Sequence, residues 1–285
     1  MGPDLARPPG APRGLFVGLA TVDVIQRVDE LPRPNAKVTA TRQDVAGGGP
    51  ALNAAATFAA LGGAAVLAAP VGDGPLGRLI RDDLARCGVQ LIDLAPTGFE
   101  PPVSAITVHA GSGDRQIVSY DGSGYPAAVP PIDATGCDVV LLDGHGPDAA
   151  RAALSAALAA GAPTVIDAGR WRPVFAELLP SATHVICSAD FQAPEPFPGP
   201  RMVAVSDGGG PIRYLLDGAP GTVDVPSVAV VDTLGAGDVL HGAYAFEIAR
   251  GTPVPEALRS AAARASDKCR HPGVRAWLQT VRGTR

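Results

Sequence analysis

Near its C-terminal end the chain runs Val230-Val231-Asp232-Thr233-Leu234-Gly235-Ala236-Gly237-Asp238-Val239-Leu240-His241-Gly242-Ala243. Backbone amides left bare by small residues, with a carboxylate one step on, suit an anion site beside a base. The β-branched residues 228–231 read as a strand end, and the Ala-, Tyr- and Phe-rich sequence after Asp238 has helical period. The Gly-Ala-Gly turn between them would open a helix, whose N-terminus carries about half a positive charge. A carboxylate there repels an anion. It is useful if it takes a proton from a hydroxyl while the amides of Gly235, Ala236 and Gly237 hold anionic oxygens. The structural alternative for Asp238 is an acidic first-turn residue favoured by the helix dipole.

A second run, Gly47-Gly48-Gly49-Pro50-Ala51-Leu52-Asn53-Ala54-Ala55, closes at Leu61-Gly62-Gly63. Glycines at Gly48 and its neighbours let backbone amides approach a polyhydroxylated ligand. The amide of Asn53 offers one donor group and one acceptor to vicinal hydroxyls. A Gly-rich helix start with Asn53 bonded locally is the alternative. Asp23, at the exit of a predicted first strand over 14–24, reads either as an acceptor of hydroxyl protons or as an ordinary strand-exit carboxylate.

Together the two runs resemble the signatures of the ribokinase (PfkB) family of carbohydrate and nucleoside kinases. Asp232, Thr233, Gly235, Ala236, Gly237 and Asp238 match its D-T-x-G-A-G-D pattern, and residues 47–63 its Gly-Gly, Asn, Ala-rich and Leu-Gly pattern. The resemblance covers most of residues 14–280. It implies a Rossmann-like α/β fold, a mostly parallel sheet with helices on both faces, plus a small β-sheet lid. It implies an ATP-dependent sugar kinase, with Asp238 as base, the 235–238 turn as anion hole, and sugar contacts at Asp23, Gly48 and Asn53.

On the nucleotide side the resemblance gives Thr233, Gly235 and Gly237 to ATP. The family's Asn-x-x-Glu, which arranges water around Mg²⁺, falls on Cys187-Ser188-Ala189-Asp190-Phe191. There Ser188 replaces the Asn, Phe191 stands in the Glu position, and Asp190 is a carboxylate one place early or a plain helix-cap acid. Phosphoryl transfer needs the cation to offset charge. Ser206-Asp207-Gly208 resembles the phosphate-side loop, with Ser206 for its Thr and Gly208 matching. Residues 261–273 resemble the helix and loop flanking adenine. Some members hold K⁺ near that loop beside the position of Asp232. His241, three residues past Asp238, reads as packing.

The elements that must position these residues follow from pattern. From residue 138 onward short apolar runs alternate with helical ones, which argues a mostly parallel sheet covered on both faces. Two off-sheet excursions, about 24–46 (with a strand over 37–41) and 103–125, read as the lid; residues 1–13 read as a loose tail before one kinase domain over 14–285. The 285 residues are 46% hydrophobic and 18% charged, with net charge −5. That supports a sizeable core and excludes the basic stripe of a nucleic-acid binder. The four cysteines form no C-x-x-C pair, which reads as reduced thiols in a cytoplasmic protein. No apolar run reaches the roughly 20 residues that span a bilayer. G-x-G-x-x-G with a trailing acid and G-x-x-x-x-G-K-[S/T] are both missing, which argues against a Rossmann dehydrogenase and a P-loop enzyme.

The GGG-P-A-L-N run, the Ser-Ala-Asp-Phe stretch and the His-Pro-Gly ending look like ketose-kinase members. Lys37 and Arg115, in the expected lid, would meet an anionic substrate group or stand solvated. A nucleoside kinase, with Tyr120 and Tyr125 as the nearby aromatics, is one alternative. A non-catalytic sugar- or nucleotide-binding homologue is another. Homodimers through the lid occur in the family.

Overall fold

The computed structural model describes residues 10–120 and 129–282, in two sheets with helices on both faces of the larger one. In chain order, β1 (Arg13–Val17) leads to β2 (Thr21–Val28), β3 (Arg42–Gly48) and helix α1 (Pro50–Ala60). Then come β4 (Ala64–Ala69), α2 (Pro75–Cys87), β5 (Val89–Asp93), β6 (Val103–His109) and β7 (Arg115–Ser119). The second half runs β8 (Val139–Leu142), α3 (Pro147–Ala160), β9 (Thr164–Ala168), α4 (Phe175–Leu178), β10 (His184–Ser188) and β11 (Met202–Asp207). The hairpin β12 (Gly210–Leu216) and β13 (Ala219–Val223) follows, then α5 (Ala236–Ala249), α6 (Val254–Cys269) and α7 (Leu278–Arg282).

The large sheet has the order β13-β12-β11-β10-β9-β8-β1-β4-β5. It is parallel from β11 to β5, with β12 and β13 added antiparallel at one edge. Its strands alternate between two cores, as the period of two requires. Phe16, Val139 and Leu141 face α1, α2, α5 and α6, whereas Leu15, Val17, Val140 and Leu142 face α3 and α4. In the first core Phe58 of α1 lies edge-on between Phe16 and Phe246, at centroid distances of 5.3 and 5.5 Å. The helices α1 and α5 pack at backbone range. A Cβ on Gly242 would lie 2.4 Å from the carbonyl oxygen of Ala54.

The small sheet, β3-β2-β6-β7, is the lid. Its inner face seals onto the loop before α5 through Ile25, Ile106, Val108, Leu234 and Val274. Among the described residues no helix is long and apolar enough to cross a membrane.

Three local expectations differ. Residues 14–24 are not one strand: β1 stops at Val17 and the chain crosses to the lid, so Asp23 lies within β2. The crossing is held by Asp143, whose carboxylate accepts from the amides of Leu19 (2.9 Å), Ala51 (3.1 Å) and His145 (2.9 Å). Residues 37–41 form no strand, because pairing with β2 begins at Arg42. Residues 228–231 form none either. Val230 and Val231 are 48% and 40% exposed, and the amides of Val231 and Asp232 donate to the carbonyl of Cys269 at the end of α6. Helix α7 had no counterpart in the sequence reading. The expected tail falls mostly on 1–9 and Tyr125 falls on 121–128, both outside the described residues.

Candidate active site

Helix α5 starts where the sequence places its turn. Gly235 occupies the N-cap with φ 76°, a left-handed conformation that glycine adopts without a Cβ clash. Among the described residues no side chain caps this helix, and Asp238 sits half-buried in its first turn. The first-turn amides therefore face the site with the positive end of the helix behind them.

Asn53 reaches the same point from α1. Its Nδ2 donates to Asp238 Oδ2 at 2.7 Å. Its Oδ1 accepts from Arg275 Nη1 at 2.8 Å, which fixes the amide with its donor end toward the carboxylate. Arg275 also donates to Asp83 Oδ2 (2.9 Å) and to the carbonyl of Gly47 (2.8 Å), tying α1, α2 and β3 together.

Asp23 approaches from β2, with Oδ1 accepting from Thr21 Oγ1 at 2.7 Å. Gly48, opposite it on β3, leaves the space. A Cβ there would lie 2.1 Å from Asp23 Cγ. Burial raises the pKa of Asp238, with the Asn53 hydrogen bond and His241 opposing. Burial also raises that of Asp23; its Thr21 bond opposes this, and the charge of Asp238 adds to it. His241, buried behind Asp238, places Nδ1 2.7 Å from the carbonyl of Gly237 and Nε2 3.2 Å from that of Ile186. It braces the first turn of α5 against β10.

Asp232 is fully buried and its carboxylate is occupied. Oδ2 accepts from Arg27 Nη2 (2.7 Å) and the amide of Gly273 (2.8 Å), and Oδ1 from the amide of Leu234 (2.8 Å). Lys268, also fully buried, donates from Nζ to the carbonyl of Asp232 at 2.7 Å and lies 3.7 Å from Oδ1. Burial lowers the pKa of Lys268, and Asp232 opposes that. Thr233 Oγ1 accepts from Arg115 Nη1 at 2.6 Å, so a second lid arginine rests on this loop.

The nucleotide-side positions lie around the ends of β10 and β11. Ser188 Oγ donates to the carbonyl of Gly169 at 2.6 Å, and Ser206 Oγ to that of Cys187 at 3.3 Å. Gly208 turns from β11 into β12 at φ 51°. Asp190 is exposed at the exit of β10. Phe191 is not turned toward it. Its ring packs against Trp171, Phe175 and Phe197 at 6.0–6.3 Å. Among the described residues no three His, Cys, Asp or Glu side chains cluster as metal ligands. One exposed carboxylate and one hydroxyl fit outer-shell contact with a hydrated Mg²⁺ carried by a nucleotide, a coordination habit usual for that ion.

The model of the pfkB family of carbohydrate kinases matches residues 13–190 and 192–280. The chain belongs to that family. It is a phosphotransferase with a ribokinase-like, ATP-binding fold. A ribokinase of Arabidopsis thaliana is 27% identical over 287 residues, covering 90% of this chain and 76% of the relative. An ATP-dependent ribose-1-phosphate kinase of Halopiger xanaduensis is 34% identical over 163 residues, 55% of this chain and 54% of the relative. The structure of Arabidopsis thaliana ribokinase complexed with ribose and ATP superposes with a TM-score of 0.75 at 23% identity, covering 95% of this chain and 99% of that one. That likeness carries the fold.

In this pfkB kinase, Asp238, Asn53 and Gly235 lie side by side, and Gly48 and Asp23 face each other next to them. Sequence reasoning missed Arg27, Asp143, Lys268 and Arg275. Lys268 and Arg275 lie in or just past the segment read as flanking adenine, where a buried cation has no pattern that separates it from a solvated one.

Proposed function

We propose that this chain transfers the γ-phosphoryl group of ATP to a hydroxyl of a small sugar, with Asp238 as the base. The observation that carries the reading is the 2.7 Å bond from Asn53 to Asp238 at an uncapped helix N-terminus. It sets a carboxylate, an amide and bare backbone N–H groups around one point. The sugar hydroxyl oxygen attacks the γ-phosphorus, its proton passes to Asp238 Oδ, the bond to the β-phosphate oxygen breaks and ADP leaves. The amides of Gly235, Ala236 and Gly237 receive the negative charge of the transferring group, the role that electrostatic preorganisation plays in such reactions. Asp190 and Ser188 would hold the water of a Mg²⁺ carried by the nucleotide, which would offset phosphate charge. Thr233, Ser206 and Gly208 line the ATP side. Asp23, Gly48 and Asn53 bind the acceptor, and the lid keeps out the water that would compete as acceptor.

The acceptor class is a furanose or ketose sugar, and the Halopiger xanaduensis relative adds sugar phosphates to the candidates. A sugar is favoured over a nucleoside because the chain is only 5% aromatic, and Tyr120 is the one described aromatic of the nucleoside reading. The other face of the lid, with Val118 76% and Val45 47% exposed, suits pairing with a second copy.

The test is acceptor-dependent ADP release from MgATP across ribose, ribose phosphates, fructose, fructose phosphates, sulfofructose and nucleosides, with Asp238→Asn alongside. Turnover on one sugar class, lowered about 100- to 10,000-fold in the variant at unchanged melting temperature, supports the reading. Near wild-type turnover in Asp238→Asn removes Asp238 as the base.

A further inference from the structure

A monovalent cation beside Asp232, as the family resemblance implies, needs oxygens free to ligate it. Here they are taken. The carboxylate holds Arg27 and the amides of Leu234 and Gly273, and the carbonyl oxygen holds Lys268 Nζ at 2.7 Å. The same Nζ lies 3.7 Å from Oδ1, so it faces both the carbonyl and the carboxylate of Asp232. Lys268 is anchored on α6, whose last residue, Cys269, also accepts the amides of Val231 and Asp232. One short segment therefore clamps the loop that precedes the Gly235 turn from both its amide and its carbonyl sides.

We infer that the Lys268 ammonium is a built-in monovalent cation that takes the place of K⁺, so that this kinase works without one. The inference rests on the kinase reading for its activity arm only. Charge balance fits: a buried carboxylate with a partly buried guanidinium and a buried ammonium has no need of a third cation. Adding one would put like charges within a few ångströms in a poorly solvated place. The work of steadying the loop at Asp232, and through it the turn that presents Gly235, Ala236 and Gly237, passes to a side chain that cannot dissociate.

The test exchanges the chloride salts of K⁺, Na⁺, Li⁺ and N-methylglucamine at equal ionic strength. Melting temperature is followed in parallel with ADP release, measured by chromatography to avoid K⁺-dependent coupling enzymes. For the wild type we expect the same melting temperature in all four salts and turnover within about twofold. A melting temperature raised by K⁺ alone, or turnover raised tenfold or more by K⁺, overturns the inference. Lys268→Ala, which leaves room for an ion, is expected to melt lower and to recover melting temperature and turnover with K⁺ but not with N-methylglucamine. Wild-type stability and turnover of Lys268→Ala in N-methylglucamine would also overturn it. If Lys268→Ala does not fold, the wild-type melting arm still decides. If no acceptor is turned over, the kinase reading fails by itself and melting still judges Lys268.

Discussion

Asp238 is a half-buried carboxylate whose protonation is disfavoured by one amide and one imidazole and favoured by burial. Burial wins, so its pKa stands above the ordinary aspartate value. A base works deprotonated, so activity falls as pH drops through that raised pKa, at higher pH than an unperturbed aspartate would give. Asp23 is raised too and feels the charge of Asp238, so the acid limb of kcat/KM belongs to the pair. A pH profile of kcat/KM checks this, and a rate flat down to pH near the ordinary aspartate value would refute it. Gly48→Ala tests the other side of the pair. Its Cβ would lie 2.1 Å from Asp23 Cγ, so the carboxylate must move. We expect kcat/KM for the sugar to drop by about tenfold or more with ATP binding retained, because small misplacements at a reacting centre are costly. Asp238, Asn53 and Gly48 were legible because glycines and a carboxylate at fixed spacing leave a one-dimensional trace. Arg275, which orients Asn53 from 222 positions away in sequence, left none.

At the scale of elements, strand β10 and helix α5 meet through a buried polar pair. Tyr244 Oη lies 2.7 Å from His184 Nδ1, and burial pushes the His184 pKa down to about 4 from its ordinary 6.5. The unfolded chain binds a proton in that window and the folded one does not. Stability is therefore present above about pH 6.5 and is lost as pH falls toward 4. The loss is on the order of 3 kcal/mol at most from this group. Urea unfolding between pH 4 and 7 measures it. His184→Gln, which keeps an acceptor for Tyr244 but does not titrate, should flatten that slope, and an unchanged slope would assign the acid loss elsewhere. The short apolar run of β8 and the Ala-rich helical run of α3 are legible as the strand–helix alternation that begins at residue 138. Residues 228–231 could not. Their β-branched run carries strand propensity, but no neighbouring strand takes up their backbone, and α6 does instead.

For the molecule as a whole, the lid is joined to the loop before α5 by three kinds of contact. Arg27 binds Asp232, Arg115 binds Thr233, and five apolar side chains close the seam between them. Arg115→Ala removes the exposed member alone. We expect kcat/KM for the sugar to fall about fivefold, the worth of one hydrogen bond of roughly 1 kcal/mol. Melting temperature should hold, because the apolar seam and Arg27 remain. A large fall in melting temperature would make the lid part of the core instead. Two off-sheet excursions were visible in the sequence, but their sealing onto Leu234 and Val274 was not, since it depends on how distant segments meet.

Gly242 lets α5 close on the backbone of Ala54 and the Cβ of Thr57 in α1. Because Asp238 and Asn53 ride on those two helices, a mutation at the contact is transmitted to the reacting atoms without any compliant group to absorb it. Apart from Asp23, Arg27, Gly48, Arg115 and the apolar seam, the lid strands carry no such restriction. New acceptors can therefore be explored by changes at the other positions of β2, β3, β6 and β7, whereas a change at the α1–α5 seam displaces Asp238 and Asn53 together.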